Sequence, residues 1–287
     1  MIDPDARVDR RAVVEHGSRI GPGSVVHAGA FLGHATQVDD HVVIGPNAAL
    51  ETAEDNGTVR GVHVESEARV GANATICAGV VLAARCVVRP GAVVTRAVPP
   101  RAIVEGNPAI ITGYVDTEQG SALAAASTAN RAVGVEQTPV RGVTLHRFPV
   151  IPDLRGSLTV GEFDRQIPFI PRRYFMVFGV PSREIRGEHA HLACHQFLIC
   201  VEGSCAIVAD DGHKRFEVLL EDPSLGVYLP PMTWGIQYKY SADAKLLVFA
   251  SHHYDNADYV RDYKQYLSLV ARREGALPSS SSSQESP

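Results

Sequence analysis

An aliphatic residue recurs every six positions through the first third of this chain: Val8, Val14, Ile20, Val26, Leu32, Val38, Ile44 and Leu50, then Val64, Val70, Ile76, Leu82, Val88 and Val94. Four residues after each aliphatic the side chain is mostly small (Ala12, Ser18, Ser24, Ala30, Thr36, Ala48, Ala68, Ala74, Ala92), as a chain turning a tight corner requires. The period predicts a parallel β-helix of about four to five coils, three hexads to a triangular turn. Each aliphatic then points into a narrow prism and stacks on the one a coil away. The step from Leu50 to Val64 is not a multiple of six, so residues 51–63 are read as a loop thrown out of the rod, a usual place for a site.

The repeat ends at Val94, where Pro99, Pro100 and Pro108 oppose another regular coil. Residues 116–140 are small and weakly patterned and read as a linker. From about 141 the aromatic residues gather in short β-type runs, and Asp211-Gly212 between two apolar runs signals a hairpin. The expected organisation is therefore a rod over 1–115, a linker over 116–140, an antiparallel β domain over 141–272 and a disordered Ser-rich tail over 273–287.

Composition narrows the partners. A formal charge of -5 gives no electrostatic footprint for a nucleic acid. No apolar run approaches the roughly 18 residues that cross a bilayer, and the start lacks a signal pattern, so a cytoplasmic protein with no membrane partner is expected. Five cysteines without a C-x-x-C pair predict neither a disulfide framework nor a zinc site.

The hexads, with Val70-Gly71-Ala72-Asn73, Val98-Pro99-Pro100 and Gly106-Asn107-Pro108-Ala109, resemble the left-handed β-helix sugar N-acetyltransferases. The resemblance implies a homotrimer of rods, acetyl-CoA in the groove between two of them near Asn73, Ala78, Arg96 and Pro108, and an amino-sugar near the projecting loop, flanked by Asn47 and His63. Acyl transfer to an amine needs a route for the amine proton, which a neutral imidazole supplies. His34 and His27 are the catalytic candidates. The family's Thr-Asn pair and Asn-Pro-Arg run are replaced by Glu51-Thr52-Ala53-Glu54-Asp55-Asn56-Gly57, which leaves open a rod that only assembles the chain.

The densest constellation is Arg186-Gly187-Glu188-His189-Ala190-His191, followed by Gln196 and Gly203. On a strand His189 and His191 project from one face. The spacing resembles that of the cupins. Metal-binding cupins carry a glutamate where Gln196 stands and a histidine in the stretch around Trp234, and an amide and an indole are no substitutes for those ligands. No metal is expected.

With Asp153-Leu154-Arg155-Gly156, Pro230-Pro231-Met232-Thr233-Trp234 and Asp258-Tyr259-Val260-Arg261-Asp262-Tyr263, the second half resembles the cupin family of dTDP-4-keto-6-deoxyhexose 3,4-ketoisomerases. The resemblance implies migration of a ketone from C4 to C3 of a dTDP-linked sugar. Some relatives join such a cupin to a hexapeptide acetyltransferase. The chemistry suits imidazole, because one group near neutral pKa can remove the C3 proton and return it at C4. His189 is the expected shuttle and His191 its partner, orienting the sugar or protonating oxygen, with the reverse order as the alternative. Arg155 and Arg186 are candidates for the diphosphate, and Gln196, Tyr174 and Trp234 for the sugar-nucleotide. Tyr174 stands one residue away from where the family tends to place a tyrosine, and one residue reverses a side chain's face.

The whole reads as an all-β chain, a left-handed parallel β-helix followed by an antiparallel cupin barrel. Its expected work is to isomerise a dTDP-keto-sugar and to acetylate the derived amino-sugar, as a trimer or hexamer. Two alternatives are an isomerase whose rod is a scaffold and a cupin that only binds sugar-nucleotides.

Overall fold

A computed structural model describes residues 1–55, 58–119, 133–181 and 184–275. The chain divides into two units, 1–115 and 116–287. The middle of the predicted linker and the Ser-rich end from 276 lie outside the described residues.

The first unit is a triangular parallel β-helix. Its two-residue strands pair in parallel one coil apart, as Val8 with Val26, Val26 with Ile44, Leu32 with Leu50 and Val64 with Leu82. Leu32, Ile44, Leu50, Val64, Ile76 and Leu82 are fully enclosed in the prism. Truncating one such leucine or isoleucine to alanine costs about 2–5 kcal/mol. The small residues lie at the inner corners for a reason beyond size. Ser18 and Thr36 donate to the Gly33 carbonyl at 3.0 and 2.6 Å, and Ser24 to the Asp39 carbonyl at 2.7 Å, which satisfies carbonyls that a corner would leave unpaired. The outer corner, three residues after each aliphatic, adopts a left-handed backbone at Ala35, His41, Asn47, Glu67, Asn73 and Arg85. Asn tolerates this region better than most residues, which explains Asn47 and Asn73 without a ligand.

After Leu50 the chain leaves the rod, forms a small antiparallel hairpin from Ala53–Asp55 and Thr58–Arg60, and re-enters in register, with Val64 on Val38 and Ile76 on Leu50. The prolines do not end the stacking at once. Ala102–Gly106 still adds in parallel to Val87–Val88 and then turns back on Ala109–Tyr114 as an antiparallel hairpin.

The second unit is numbered from its own start: β1 (Thr117–Gln119), β2 (Gly134–Gln137), β3 (Thr144–Arg147), β4 (Val150–Asp153), β5 (Gly156–Thr159), β6 (Arg173–Phe178), β7 (Arg186–His191), β8 (Gln196–Glu202), β9 (Cys205–Asp210), β10 (Arg215–Leu220), β11 (Leu225–Leu229), β12 (Trp234–Tyr238), β13 (Lys245–Ala250), β14 (Tyr259–Val260) and helix α1 (Tyr263–Gly275). Two six-stranded sheets, β1-β10-β9-β12-β7-β14 and β2-β3-β11-β8-β13-β6, enclose a core that includes Leu145, Leu198, Ile207, Val218, Val227, Leu246 and Val248. β4 and β5 form a separate exposed hairpin. The linker reading is corrected at both ends: β1 pairs with β10, and β2 with β3, so both belong to this unit. Its helix runs to Gly275, past the expected boundary at 272. No helix among the described residues is long and apolar enough to cross a membrane.

Candidate active site

β7 reaches the site through a bulge. Its register to β12 runs Arg186 to Gln237, Gly187 to Ile236, then His189 to Gly235, so Glu188 is an extra residue. Glycine at 187 is required: its φ is +84°, and a Cβ there would lie 2.6 Å from the Gly235 carbonyl oxygen. Gly235 and Gln237 share a face of β12, so Arg186 and His189, three apart in sequence, share a face of β7. An unbroken strand would point Arg186 away.

His189 and His191 come together as the spacing predicts, with ring centroids 5.0 Å apart. Their partners differ. His189 Nδ1 lies 2.9 Å from the Gly187 carbonyl oxygen, which only an Nδ1–H can meet, so Nε2 carries the lone pair. His191 Nδ1 lies 2.7 Å from Asp258 Oδ2, in a pair with side chains only 5% and 16% exposed. Asp258 is fixed in turn by the backbone N–H groups of Ala193 and Cys194. Since Nδ1–H is donated to that carboxylate, His191 Nε2 is an acceptor, and the Gln196 amide at 3.1 Å meets it as a donor. Burial pushes the His191 imidazole down to about 4 against the pull of Asp258, and burial also lowers His189. Burial works against charge on Asp258, yet the Ala193 N–H and His191 hold its carboxyl below the usual range. Donor atoms of His191, Cys194 and Asp258 lie within 4.8 Å of one another, and within this group His191 Nδ1 and Asp258 are hydrogen-bonded to each other.

Sequence reasoning did not place Asp258, Tyr259, Arg173 or Arg261 here. Tyr259 is the cross-strand partner of His191, with its ring 4.3 Å from His191 and 4.9 Å from His189. Arg173 Nη2 donates to the Tyr259 hydroxyl oxygen at 3.3 Å, and the Arg261 guanidinium lies 4.3 Å from the Tyr259 ring centroid. The available signal was the run 258–263, in which Tyr259 and Arg261 alternate as on a strand.

Three expected substrate contacts are not in this group. Trp234 is buried against Tyr263 and Tyr266 of α1, at 5.1 and 5.4 Å; it faces outward from its sheet, one residue out of phase with Gly235. Tyr174 is 69% exposed, while its neighbours Arg173 and Phe175 are half-buried. Arg155 lies at the tip of the β4–β5 hairpin, 90% exposed and paired with Asp153.

On the rod, His34 stacks on His16 with ring centroids 5.9 Å apart, and His27 is exposed. Among the described residues, neither ring is paired with a carboxylate through a hydrogen bond. His63, where the loop re-enters, is: its Nε2 lies 3.1 Å from Asp39 Oδ1. Asn47, Asn73, Arg96 and Pro108 are exposed and Ala78 half-buried.

Residues 141–271 match the family described as FdtA, WxcM-like, C-terminal. A TDP-4-oxo-6-deoxy-alpha-D-glucose-3,4-oxoisomerase of Aneurinibacillus thermoaerophilus is 38% identical over 125 residues, 44% of this chain and 90% of that protein. The solved QdtA 3,4-ketoisomerase of Thermoanaerobacterium thermosaccharolyticum, in complex with TDP, is 35% identical, covering 46% of this chain and 97% of its own, with a TM-score of 0.45. Serine acetyltransferase 4 of Arabidopsis thaliana is 29% identical over 120 residues, 42% of this chain; the chain spans 31% of that relative's length.

Proposed function

The chain belongs, through its second unit, to the FdtA family of WxcM-like cupin proteins, and from that premise we propose that this unit is a 3,4-ketoisomerase acting on dTDP-4-keto-6-deoxyglucose. The observation that carries the reading is the buried His191–Asp258 dyad. A base that removes the C3 proton must be neutral beforehand and stabilised once protonated. Burial keeps His191 neutral, and Asp258 2.7 Å away offers the charge partner for the imidazolium that forms. His189 has only a carbonyl behind it. We therefore assign His191 as the shuttle between C3 and C4, reversing the favoured order from sequence. His189 Nε2 orients a sugar hydroxyl, the Gln196 amide turns from His191 Nε2 to a sugar oxygen as substrate binds and so frees the lone pair of the base, and Arg186, on the histidine face, is the candidate for the diphosphate.

For the rod we propose N-acetylation of a dTDP-3-amino-3,6-dideoxyhexose by acetyl-CoA, in a homotrimer or hexamer whose rods share the CoA groove near Asn73, Ala78, Arg96 and Pro108. The base is assigned to His63 rather than His27 or His34, on its pairing with Asp39 beside the loop. Asn47 and the loop frame the sugar.

The test is proton NMR of dTDP-4-keto-6-deoxyglucose with the full chain in deuterated buffer, followed by thiol release from acetyl-CoA with the 3-amino-sugar nucleotide. A 3-keto product supports the isomerase, and the share of solvent label at C4 reports how far the imidazolium proton exchanges before it is returned. Tight dTDP binding without turnover points to a binding module, and isomerisation without thiol release points to a scaffold rod.

A further inference from the structure

A 3,4-keto shift moves two protons. One leaves C3 and arrives at C4; the other must reach the C4 oxygen and leave the C3 oxygen. The dyad accounts for the first. Neither imidazole can begin the second, because the Nδ1–H of His189 is donated to Gly187 and that of His191 to Asp258, so each ring has only a lone pair at Nε2, that of His191 facing the Gln196 amide, and no proton to give. The Gln196 amide donates a hydrogen bond but does not release a proton. Strand β6, where the family tends to place a tyrosine, turns Phe175 inward and Tyr174 out to solvent.

Resting on the isomerase reading, we propose that Tyr259 is a catalytic residue, giving its phenol proton to the C4 oxygen and recovering one from the C3 hydroxyl. Antiparallel pairing sets it opposite His191, so its ring shares the histidine face. Its ring packs on both His189 and His191. Its oxygen already accepts an N–H from Arg173, which leaves its own hydrogen free to point at substrate. Arg173 at the oxygen and Arg261 over the ring place two positive charges where the phenolate forms.

The steps balance without a further reactant. As His191 takes the proton from C3, the C3–H electron pair becomes the C3–C4 double bond, the C4 oxygen takes the phenol proton, and an enediol stands beside a phenolate and an imidazolium. The phenolate then takes the proton of the C3 hydroxyl, whose electrons form the C3 carbonyl, while the double bond takes the imidazolium proton at C4. Both residues return to their starting states.

The experiment compares the wild-type full chain with Tyr259→Phe, which keeps the ring, and with Tyr254→Phe, whose ring packs at a tilt against Tyr259 at 5.7 Å. Turnover of dTDP-4-keto-6-deoxyglucose and affinity for dTDP, which carries no sugar, are measured for each. Tyr259→Phe is expected to lower kcat by about 100-fold or more with dTDP affinity and thermal stability unchanged, and Tyr254→Phe to leave both readouts near wild type. Turnover within about threefold of wild type in Tyr259→Phe overturns the proposal, as does a parallel loss of turnover and dTDP affinity, which marks a packing role. Should Tyr259→Phe not fold, 3-fluorotyrosine incorporated throughout decides: an unmoved pH profile of kcat excludes a phenol from the proton path. An inactive wild-type chain defeats the isomerase reading itself, a distinct outcome.

Discussion

Among the described residues, two histidine–aspartate pairs stand in unlike surroundings. His191–Asp258 is 2.7 Å long, with side chains 5% and 16% exposed; His63–Asp39 is 3.1 Å long, with side chains 36% and 42% exposed. In the buried pair the carboxylate is held by two backbone N–H groups, and the second imidazole nitrogen faces a buried amide. In the second pair solvent reaches both side chains, and an ion pair so placed is worth little. The same two side chains can thus be a preorganised base or an adjustable one. Which they are depends on what the neighbouring backbone does with the carboxylate.

The largest expected effect is on the buried pair. His191→Asn removes the proposed shuttle, and the rate of 3-keto product by NMR should fall by about 10³-fold or more with dTDP binding retained. If His189→Asn is the more damaging of the two, the assignment returns to the order first favoured from sequence. His63→Asn should lower thiol release from acetyl-CoA by about 10²-fold while isomerisation is unchanged. An equal loss in His27→Asn or His34→Asn would place the rod's base elsewhere.

Titration sharpens the contrast further. With His191 pushed down to about 4 by burial, the acid limb of kcat/KM, which reports the free enzyme, should lie near 4 rather than near the ordinary imidazole value of 6.5. The same shift enters stability. The unfolded chain binds more protons than the folded one between about pH 6.5 and 4, so this contribution is complete above 6.5 and is lost as pH falls, by up to about 1.4 kcal/mol per unit. Denaturant midpoints across that window check it, and a flat profile would mean the imidazole is not dry.

The smallest effects belong to residues that the structure removes from the site. Tyr174→Phe should change kcat/KM by less than about threefold. Trp234→Phe should be felt as lost stability of about 1–3 kcal/mol under α1, without loss of dTDP affinity.

How much the sequence revealed follows the same division. The rod was legible because a period needs only side-chain size, and its coils, corners and projecting loop all follow from spacing. Its chemistry was not, since a histidine acquires a role from the carboxylate a coil away, and the hexad position says nothing of that. In the barrel, two residues of spacing placed His189 and His191 together. Arg186 joined them through a bulge invisible in residue types, apart from Gly187. Asp258 and Tyr259 lie 67 and 68 positions beyond His191, so only strand pairing brings them back. Trp234 misled because a strand residue next to the inward-facing Gly235 looks outward, and there α1 covers it.

The most direct test of the account is Asp258→Asn. An asparagine keeps the size of Asp258, but with a single oxygen it cannot accept from both the Ala193 N–H and the His191 Nδ1–H, and it cannot stabilise an imidazolium. Formation of the 3-keto product from dTDP-4-keto-6-deoxyglucose should fall by about 10²–10⁴-fold at unchanged dTDP affinity and unchanged fold. Conversion at close to the wild-type rate would contradict the dyad as the origin of the chemistry.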